Sequence, residues 1–534
     1  MSDIDTLARE RFGFARLRPG QRPAIEAAVA GRDVLAVMPT GAGKSAIYQL
    51  ASLLVPGPCV VVSPLVSLQR DQVESLEEAG VEAAALNSSL PVAERRQALD
   101  ELEDEELEFL FLAPEQLANE GVLARVQRAR PSLVVVDEAH CVSEWGHDFR
   151  PEYLRLGTAI ELLGRPTVIA LTATASPPVR AEIVDRLGLD DPEIVVRGFD
   201  RPNLRLEVEH HHDERSKDAA VVEAVVAAAK PGLVYAATRG RSEELAEALR
   251  ARGVEAHAYH AGRSGSEREQ VQTGFAEDEV EVVVATTAFG MGIDKPNVRF
   301  VFHADISESL DAYYQEIGRA GRDGEPAEAR LYYRAEDVGL RRFFASGGVD
   351  GDTLEQVAEA VAEADGVVEA AELKEETGLT DSKLALALGR LEDVGAARVL
   401  PSGDVVPGAE DASTGELVAR ATEADERRRL LERSRVEMMR GYAELRDCRR
   451  EYLLNYFGEA FDAPCGNCDN CEAGIVVADA EMPFPLGAAV EHAEWGRGVV
   501  QRYEGDKLTV LFDDVGYKTL DTRLVLDGGL LRTA

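Results

Sequence analysis

The stretch Met38-Pro39-Thr40-Gly41-Ala42-Gly43-Lys44-Ser45 constrains the fold of this chain more than any other. It follows a run, Asp33–Val37, that reads as a short buried strand, and it opens a helix at Ala46. Strand, glycine-rich loop and helix in that order let backbone N–H groups close on phosphate oxygens, while the helix N-terminus favours negative charge. Thr40, Gly41 and Gly43 would shape the loop around a nucleotide such as ATP. Lys44 would reach its β- and γ-phosphates, and Ser45 would ligate magnesium.

The flanking pattern agrees with that start. Short buried strands are expected at Asp33–Val37, Cys59–Ser63, Leu107–Leu112, Leu133–Val136 and Val168–Leu171, with helical stretches between them. This alternation predicts a parallel sheet with helices on both faces, an α/β lobe over residues 1–200. Residues 201–345 repeat the plan, with strands near Gly232–Tyr235, Ala256–Tyr259, Val282–Ala285, Phe300–His303 and Ala329–Tyr333. Between the two, His210–Lys217 reads as a solvated linker despite its three adjacent histidines.

Beyond Gly347 the pattern changes to small helices at Thr353–Glu363, Leu373–Thr377 and Asp381–Val394, then a pair of short strands over Arg398–Val406. That is the layout of a winged-helix-like domain, residues 350–410. Residues 411–475 read as a helical subdomain ending in cysteines, and residues 483–534 as a small β-barrel of short strands. A chain of 534 residues has room for roughly three to five such units.

A second feature sits at the end of Leu133–Val136, which delivers Asp137 and Glu138 to the strand end where α/β folds place ligands. One carboxylate suits magnesium and the other an attacking water. Trp145, His147, Phe149 and Arg150 follow closely, and planar groups with an arginine are what a single-stranded nucleic acid site uses. Leu171-Thr172-Ala173-Thr174 offers small hydroxyls that can link the lobes. In QEIGRAGRDG, Gln315–Gly324, Arg319 and Arg322 are spaced to share a helix face. From the second lobe they would reach the γ-phosphate and make hydrolysis depend on lobe closure.

Charge opposes the nucleic-acid reading: 58 basic residues, only eight of them lysine, face 97 acidic ones, a net −39. Such a field repels phosphate. Either the basic groups line a local track, for which Glu426–Arg450 with nine arginines is a candidate, or the protein works in a salty cytoplasm that screens its surface. No apolar run is long enough for a membrane span and the N-terminus has no export pattern, so a cytoplasmic protein without membrane contact is expected. Of six cysteines, Cys59 and Cys141 read as unpaired thiols. Cys448, Cys465, Cys468 and Cys471 supply four thiolates, enough for one tetrahedral zinc. An iron–sulfur cluster competes, but its ferredoxin-type run needs a further cysteine, and none follows Cys471.

Taken in order and at compatible spacing, these motifs make residues 9 to about 335 resemble a RecQ-family DNA helicase of superfamily 2. Phe12-Gly13-Phe14 with Arg18-Pro19-Gly20-Gln21 resembles the family's adenine-recognition motif, which implies that Phe14 and Arg18 pack the base and Gln21 bonds its edge. Ser143–Tyr153 resembles its aromatic-rich loop, which couples strand binding to hydrolysis. Tyr259-His260-Ala261-Gly262 and Val283–Val301 match as well, and Met38 in place of the first P-loop glycine is common in that superfamily. Asp447–Arg450 and Leu453–Gly458 resemble the family's zinc subdomain. DEAH-box RNA helicases share Asp137–His140 but not the loop that follows.

The resemblance implies two RecA-like lobes, ATP, magnesium and zinc as cofactors, and single-stranded and forked DNA as partners. It also implies 3′ to 5′ translocation with unwinding, in recombination and repair. A DNA-stimulated ATPase that scaffolds or anneals without processive unwinding is the rival. The chain departs from the family pattern in placing its winged-helix-like segment before the zinc cysteines. The recognition helix there offers only Lys383 and Arg390, so packing and DNA contact both stand as its role. The tail, Pro485–Asp521, resembles the Tudor-like barrel that ends UvrD-type helicases, a protein-docking module there. A stabilising appendage is the other reading.

Overall fold

Four-residue runs of β-branched and aromatic residues, buried on both faces, build two parallel sheets. The computed structural model describes residues 4–533 apart from 40, 65, 88–89, 118, 144–149, 290–294, 345–347, 365, 401–403, 409–411, 460, 462, 476–482, 486–487 and 505. The first sheet comprises β1 (Val34–Val37), β2 (Cys59–Val62), β3 (Ala83–Leu86), β4 (Phe109–Leu112), β5 (Leu133–Val136), β6 (Thr167–Thr172) and β7 (Glu193–Val196). Their order is β3-β4-β2-β5-β6-β1-β7, every neighbouring pair parallel. Helices cover both faces, which is why the central strands show no polar alternation. The two edge strands β3 and β7 were not among those expected from the sequence: one is alanine-rich and the other half-exposed.

The second sheet runs β10-β11-β9-β12-β13-β8, again all parallel. Its strands are β8 (Leu204–His210), β9 (Gly232–Tyr235), β10 (Ala256–Tyr259), β11 (Val282–Ala285), β12 (Phe300–His303) and β13 (Ala327–Tyr333). The supposed linker His210–Lys217 is part of this lobe. His210 ends β8, the His211 N–H donates to the Tyr333 carbonyl at 2.8 Å, and Asp213 caps the helix Glu214–Ala227. Lys217 on that helix is 0% exposed and bridges Asp305 and Asp337. In β8 buried and half-exposed residues alternate, the period of an edge strand that packs on one face.

The edge that β8 would present is covered by the cysteine-bearing region. Leu206 forms a parallel bridge with Cys468, and the Val208 N–H donates to the Asp469 carboxylate at 3.0 Å. An uncovered edge is a pairing hazard, so this cover has a structural purpose of its own.

Helices Gly351–Glu363, Ala370–Thr377 and Asp381–Asp393 and the antiparallel pair β14 (Ala397–Val399) and β15 (Val405–Pro407) share a small core that includes Leu354, Leu373, Leu388 and Val405. They ride on the 30-residue helix Thr414–Ala443. Arg390 of the expected recognition helix is buried against Asp425 of that long helix, and Asp393 pairs with Arg186 of the first lobe. These contacts favour the packing role over DNA contact.

The C-terminal unit is a five-stranded antiparallel sheet ordered β19-β18-β17-β16-β20, from β16 (Ala489–His492), β17 (Gly496–Glu504), β18 (Lys507–Phe512), β19 (Gly516–Asp521) and β20 (Leu531–Thr533). The class is the expected one: α/β, with two parallel-sheet lobes, a helical region bearing the cysteines and a C-terminal β unit. Among the described residues no helix is long and apolar enough to cross a membrane.

Candidate active site and metal centre

The loop after β1 turns at Gly41 and Gly43, whose φ angles of 82° and 76° suit glycine alone. A Cβ on Gly43 would lie 2.8 Å from Gln21 Nε2. That contact is a bond in the native chain: Gln21 Nε2 donates to the Gly43 carbonyl at 2.8 Å and to that of Ala42 at 3.3 Å. Gln21 Oε1 accepts from the Arg18 backbone N–H at 2.7 Å, and the Arg18 guanidinium donates to the Gly41 carbonyl. Phe14 stacks on Phe12, with ring centroids 5.6 Å apart. The residues expected around an adenine thus sit on the P-loop and brace it. Lys44 Nζ donates to the Met38 carbonyl at 3.2 Å, and Ser45 starts the helix. Thr40 lies outside the described residues.

Next to this loop β5 ends at Asp137, whose N–H donates to the Val62 carbonyl at 2.9 Å. Desolvation, and then the Glu138 charge, push the Asp137 carboxyl up to about 7 against the pull of Lys44. A hard divalent cation fits such a pair of crowded carboxylates. Glu138 adopts the left-handed conformation, φ 47° and ψ 46°. A non-glycine residue held there costs energy and marks a site where geometry is imposed.

His140, which the sequence reading passed over, organises this corner. Its Nδ1 lies 2.8 Å from Thr172 Oγ1 and 3.3 Å from Glu138 Oε2. The Thr172 hydroxyl donates to the Thr174 carbonyl at 3.0 Å, so towards His140 it accepts. The ring therefore carries its proton on Nδ1. Burial pushes the His140 pKa down to about 3, with Lys44 and Arg150 adding to the effect, and the ring stays neutral. The identity of the fourth letter in Asp137–His140 was the available signal.

Of the residues expected to touch a nucleic acid strand, Trp145, His147 and Phe149 lie outside the described residues. Arg150 is described: its N–H donates to the Cys141 carbonyl at 3.1 Å, and its own carbonyl accepts from Tyr153 at 2.9 Å. Tyr153 Oη in turn donates to the Asp137 carbonyl at 3.0 Å.

The shared helix face of Arg319 and Arg322 does not exist. The helix Leu310–Ile317 stops at Gly318, and both arginines lie in the turns beyond it, where Gly321 takes a φ of 61°. Arg201 braces those turns by donating to the carbonyls of Gly318, Ala320 and Gly321 at 3.3, 2.8 and 2.9 Å. Arg319 is 4% exposed, close enough to Tyr235 to pull its phenol pKa down against burial, and its Nε has no hydrogen-bond partner among the described residues. A buried guanidinium so placed suits an anion.

The four clustered cysteines converge. Their sulfurs lie within 4.8 Å of one another, and Cys465 and Cys471 are 3.8 Å apart. Zinc–sulfur bonds of about 2.3 Å in a tetrahedron require edges of about 3.8 Å, so the cluster fits zinc. The Asn467 N–H donates to Cys465 Sγ at 3.4 Å and the Cys471 N–H to Cys468 Sγ at 3.5 Å. Arg449 locks the neighbouring Asp469 with two bonds. Part of the expected basic track is used internally: Arg435 pairs with Asp311, Arg449 with Asp469 and Arg450 with Asp200, all three buried, whereas Arg427, Arg433 and Arg446 are exposed.

Residues 18–182 match the DEAD/DEAH box helicase family, 216–324 the helicase conserved C-terminal domain, 409–472 the RecQ zinc-binding family, and 486–526 a family described as a protein of unknown function (DUF3553). The chain is 34% identical over 476 residues to the probable ATP-dependent DNA helicase RecS of Bacillus subtilis, covering 88% of this chain and 92% of that protein. It is 36% identical over 460 residues to the ATP-dependent DNA helicase RecQ of Pasteurella multocida, covering 86% of this chain. The chain spans only 61% of that RecQ. In fold it is similar to the Mycobacterium smegmatis helicase Lhr bound to single-stranded DNA and AMP-PNP, with a TM-score of 0.52 at 21% identity over 92% of this chain and 69% of that one.

Proposed function

The chain belongs to the RecQ family of helicases, and from that premise we propose that it is an ATP-dependent DNA helicase that moves 3′ to 5′ along one strand and unwinds duplex or forked DNA. The observation that carries this reading is a set of contacts around one strand end. Lys44 acts on the Asp137 carboxyl, His140 bonds Thr172 with Glu138 beside it at 3.3 Å, and Tyr153 bonds Asp137 from the far end of the segment that begins at Ser143. A nucleotide site and a strand site joined in this way are what a motor needs.

In this reading ATP lies on the P-loop, with its base against Phe14, Arg18 and Gln21. Lys44 holds the β- and γ-phosphates in place, with the N–H groups of the Thr40–Ser45 loop around them. Ser45 and Asp137 would hold magnesium, which when bound neutralises phosphate charge. Glu138 orients the attacking water and takes its proton, with the neutral His140 ring packed beside that carboxylate. Arg319 and Arg322 approach from the second lobe on closure, a contribution of about 10³–10⁵ in rate for such arginines. Trp145, His147, Phe149 and Arg150 contact the strand. The zinc held by Cys448, Cys465, Cys468 and Cys471 keeps the edge of the second sheet covered.

The protein acts in the cytoplasm, in recombination and repair. The tail docks a protein partner in this reading, a role supported by its resemblance to a docking module and by the exposure of Leu524, Leu526 and Leu530, with a stabilising appendage as the alternative. Unwinding of a forked substrate, measured beside ATP hydrolysis with and without single-stranded DNA, tests the reading. DNA-stimulated hydrolysis with no strand separation would assign the rival role of an ATPase scaffold.

A further inference from the structure

The C-terminal sheet is not a pendant module. Gly516 packs so closely on the long zinc-region helix that a Cβ there would lie 2.3 Å from Ser434 Oγ and 3.0 Å from Leu431 Cδ1. Arg502 stacks over Tyr452, its guanidinium carbon 3.7 Å from the ring centroid. Tyr517 is 6% exposed, its ring 5.7 Å from that of Tyr456, and it belongs to the same apolar core as residues of both lobes. Around it converge Asp311 of the second lobe, Arg435 of the zinc region, and Ser176 and Arg180 of the first lobe. Tyr456 Oη and Arg435 both bond that same Asp311 carboxylate, at 2.5 and 3.4 Å. Tyr517 Oη is buried, near Tyr456 and Ser176 but outside good hydrogen-bond geometry to either.

Ser176 starts the helix Pro177–Arg186, two residues after Thr174. That helix packs on Ala139–Val142, directly after Glu138. Its Glu182 accepts a bond of 2.6 Å from Ser143, where the strand-contacting loop begins. Arg180 donates to the Phe457 carbonyl of the zinc region at 3.1 Å, and Arg186 holds Asp393 of the winged-helix-like unit. One helix thus collects every accessory unit and faces both halves of the proposed coupling path.

We propose that Tyr517 is a positioning residue of the motor: it seats the C-terminal sheet on Tyr456, whose neighbour Phe457 holds Arg180 of the helix Pro177–Arg186, and through that helix the sheet sets how the Ser143 end of the strand loop answers DNA. This inference rests on the proposed helicase reading. It makes the C-terminal unit part of the coupling machinery, whatever its outer face binds.

The test compares full-length Tyr517→Ala, Tyr517→Phe and Leu524→Ala, the last on the exposed face of the same unit. Tyr517→Ala should lower the DNA-stimulated kcat for ATP about tenfold while basal kcat and the KM for ATP stay within about twofold. Tyr517→Phe should keep about half or more of the stimulation, because the ring fills the junction and the hydroxyl adds at most one weak hydrogen bond. Leu524→Ala should match the parent. Undiminished stimulation in Tyr517→Ala, or a fall shared equally by basal and stimulated rates, overturns the proposal. Amide hydrogen exchange supplies a readout that needs no catalysis: Tyr517→Ala should speed exchange across Pro177–Arg186 and leave β17 and β18 protected. If the parent shows no DNA-stimulated ATPase, the helicase reading fails and exchange alone decides. Unchanged exchange in that helix would then sink the coupling as well.

Discussion

Tyr153 donates its phenol to the Asp137 carbonyl at 3.0 Å, and so joins the far end of the Ser143–Tyr153 segment to the carboxylate pair. Burial raises the Tyr153 pKa well above its ordinary value, so the phenol remains a donor. Tyr153→Phe keeps the ring and removes that one bond. The ratio of DNA-stimulated to basal ATPase should fall about fivefold, the effect of about 1 kcal/mol. A ratio equal to the parent's would show that the loop reports to the active site by another route.

Lys44→Ala removes the amino group that would face the β- and γ-phosphates, and the only described bond it loses is to the Met38 carbonyl. Hydrolysis should drop by about a hundredfold or more, with the unfolding midpoint nearly unchanged. Glu138→Gln should retain ATP binding and trap the bound complex. Turnover above a few per cent of the parent rate, about what a lost electrostatic contact would leave, would dismiss either assignment.

These sites were legible in the sequence because they are local. A strand, a glycine-rich loop and a helix in succession specify the P-loop, and Asp137-Glu138 follow a run that has no alternative to a buried strand. What was illegible depended on partners far away in the chain. The arginines between Glu426 and Arg450 read as a basic track, yet Arg435 meets Asp311 and Arg450 meets Asp200. His210–Lys217 looked like a solvated linker, yet His210 closes β8 against Tyr333 of β13 and Lys217 is buried in the lobe. The helical spacing of Arg319 and Arg322 failed for a local reason: Gly318 and Gly321 end the helix between Ile317 and the second arginine. Nothing near Tyr517 in sequence announces Tyr456 or Ser434.

Lys217, buried between Asp305 and Asp337, gives the second lobe an acid-labile core. Burial alone would raise the Asp305 pKa, but Lys217 and Arg241 outweigh it and hold the carboxyl below its usual value. A depressed carboxylate stabilises the fold at pH above its unfolded pKa of about 4, and that contribution is lost as pH falls through the lower folded value. Asp305→Asn should therefore destabilise the protein at neutral pH by about 1–3 kcal/mol, since Lys217 loses one of its two carboxylate partners and keeps Asp337. The difference from the parent should shrink below about pH 4, where protonation removes the same charge. Chemical denaturation at several pH values checks both parts, and a pH-independent difference contradicts the linkage.

One zinc per chain is expected, and its removal should do more than loosen the cysteine loop. The bridge between Leu206 and Cys468 covers the edge of β8, so chelation should expose unpaired strand groups and promote association. In small zinc-finger peptides the metal contributes about 10–16 kcal/mol, enough to unfold a local region on loss. Light scattering after chelation, beside metal analysis, checks this. Iron with visible absorbance in anaerobically purified protein would decide for a cluster instead.

Salt should act on this protein in two opposed ways. The net charge of −39 repels DNA at long range, and raising salt screens that repulsion first. Phosphate contacts then weaken, with a slope of about −0.7 in log K per contact for a single strand. Because Arg435 and Arg450 are buried in ion pairs with Asp311 and Asp200, the segment Glu426–Arg450 offers phosphate fewer contacts than its nine arginines suggest. The falling limb should accordingly be shallow, and the screening limb visible. Unwinding measured from low to high potassium chloride should rise to an optimum at moderate or high salt and then decline gently. A monotonic loss of unwinding from the lowest salt tested would mean that the acidic surface does not govern approach, and that enough cationic groups remain in the cleft to outweigh it.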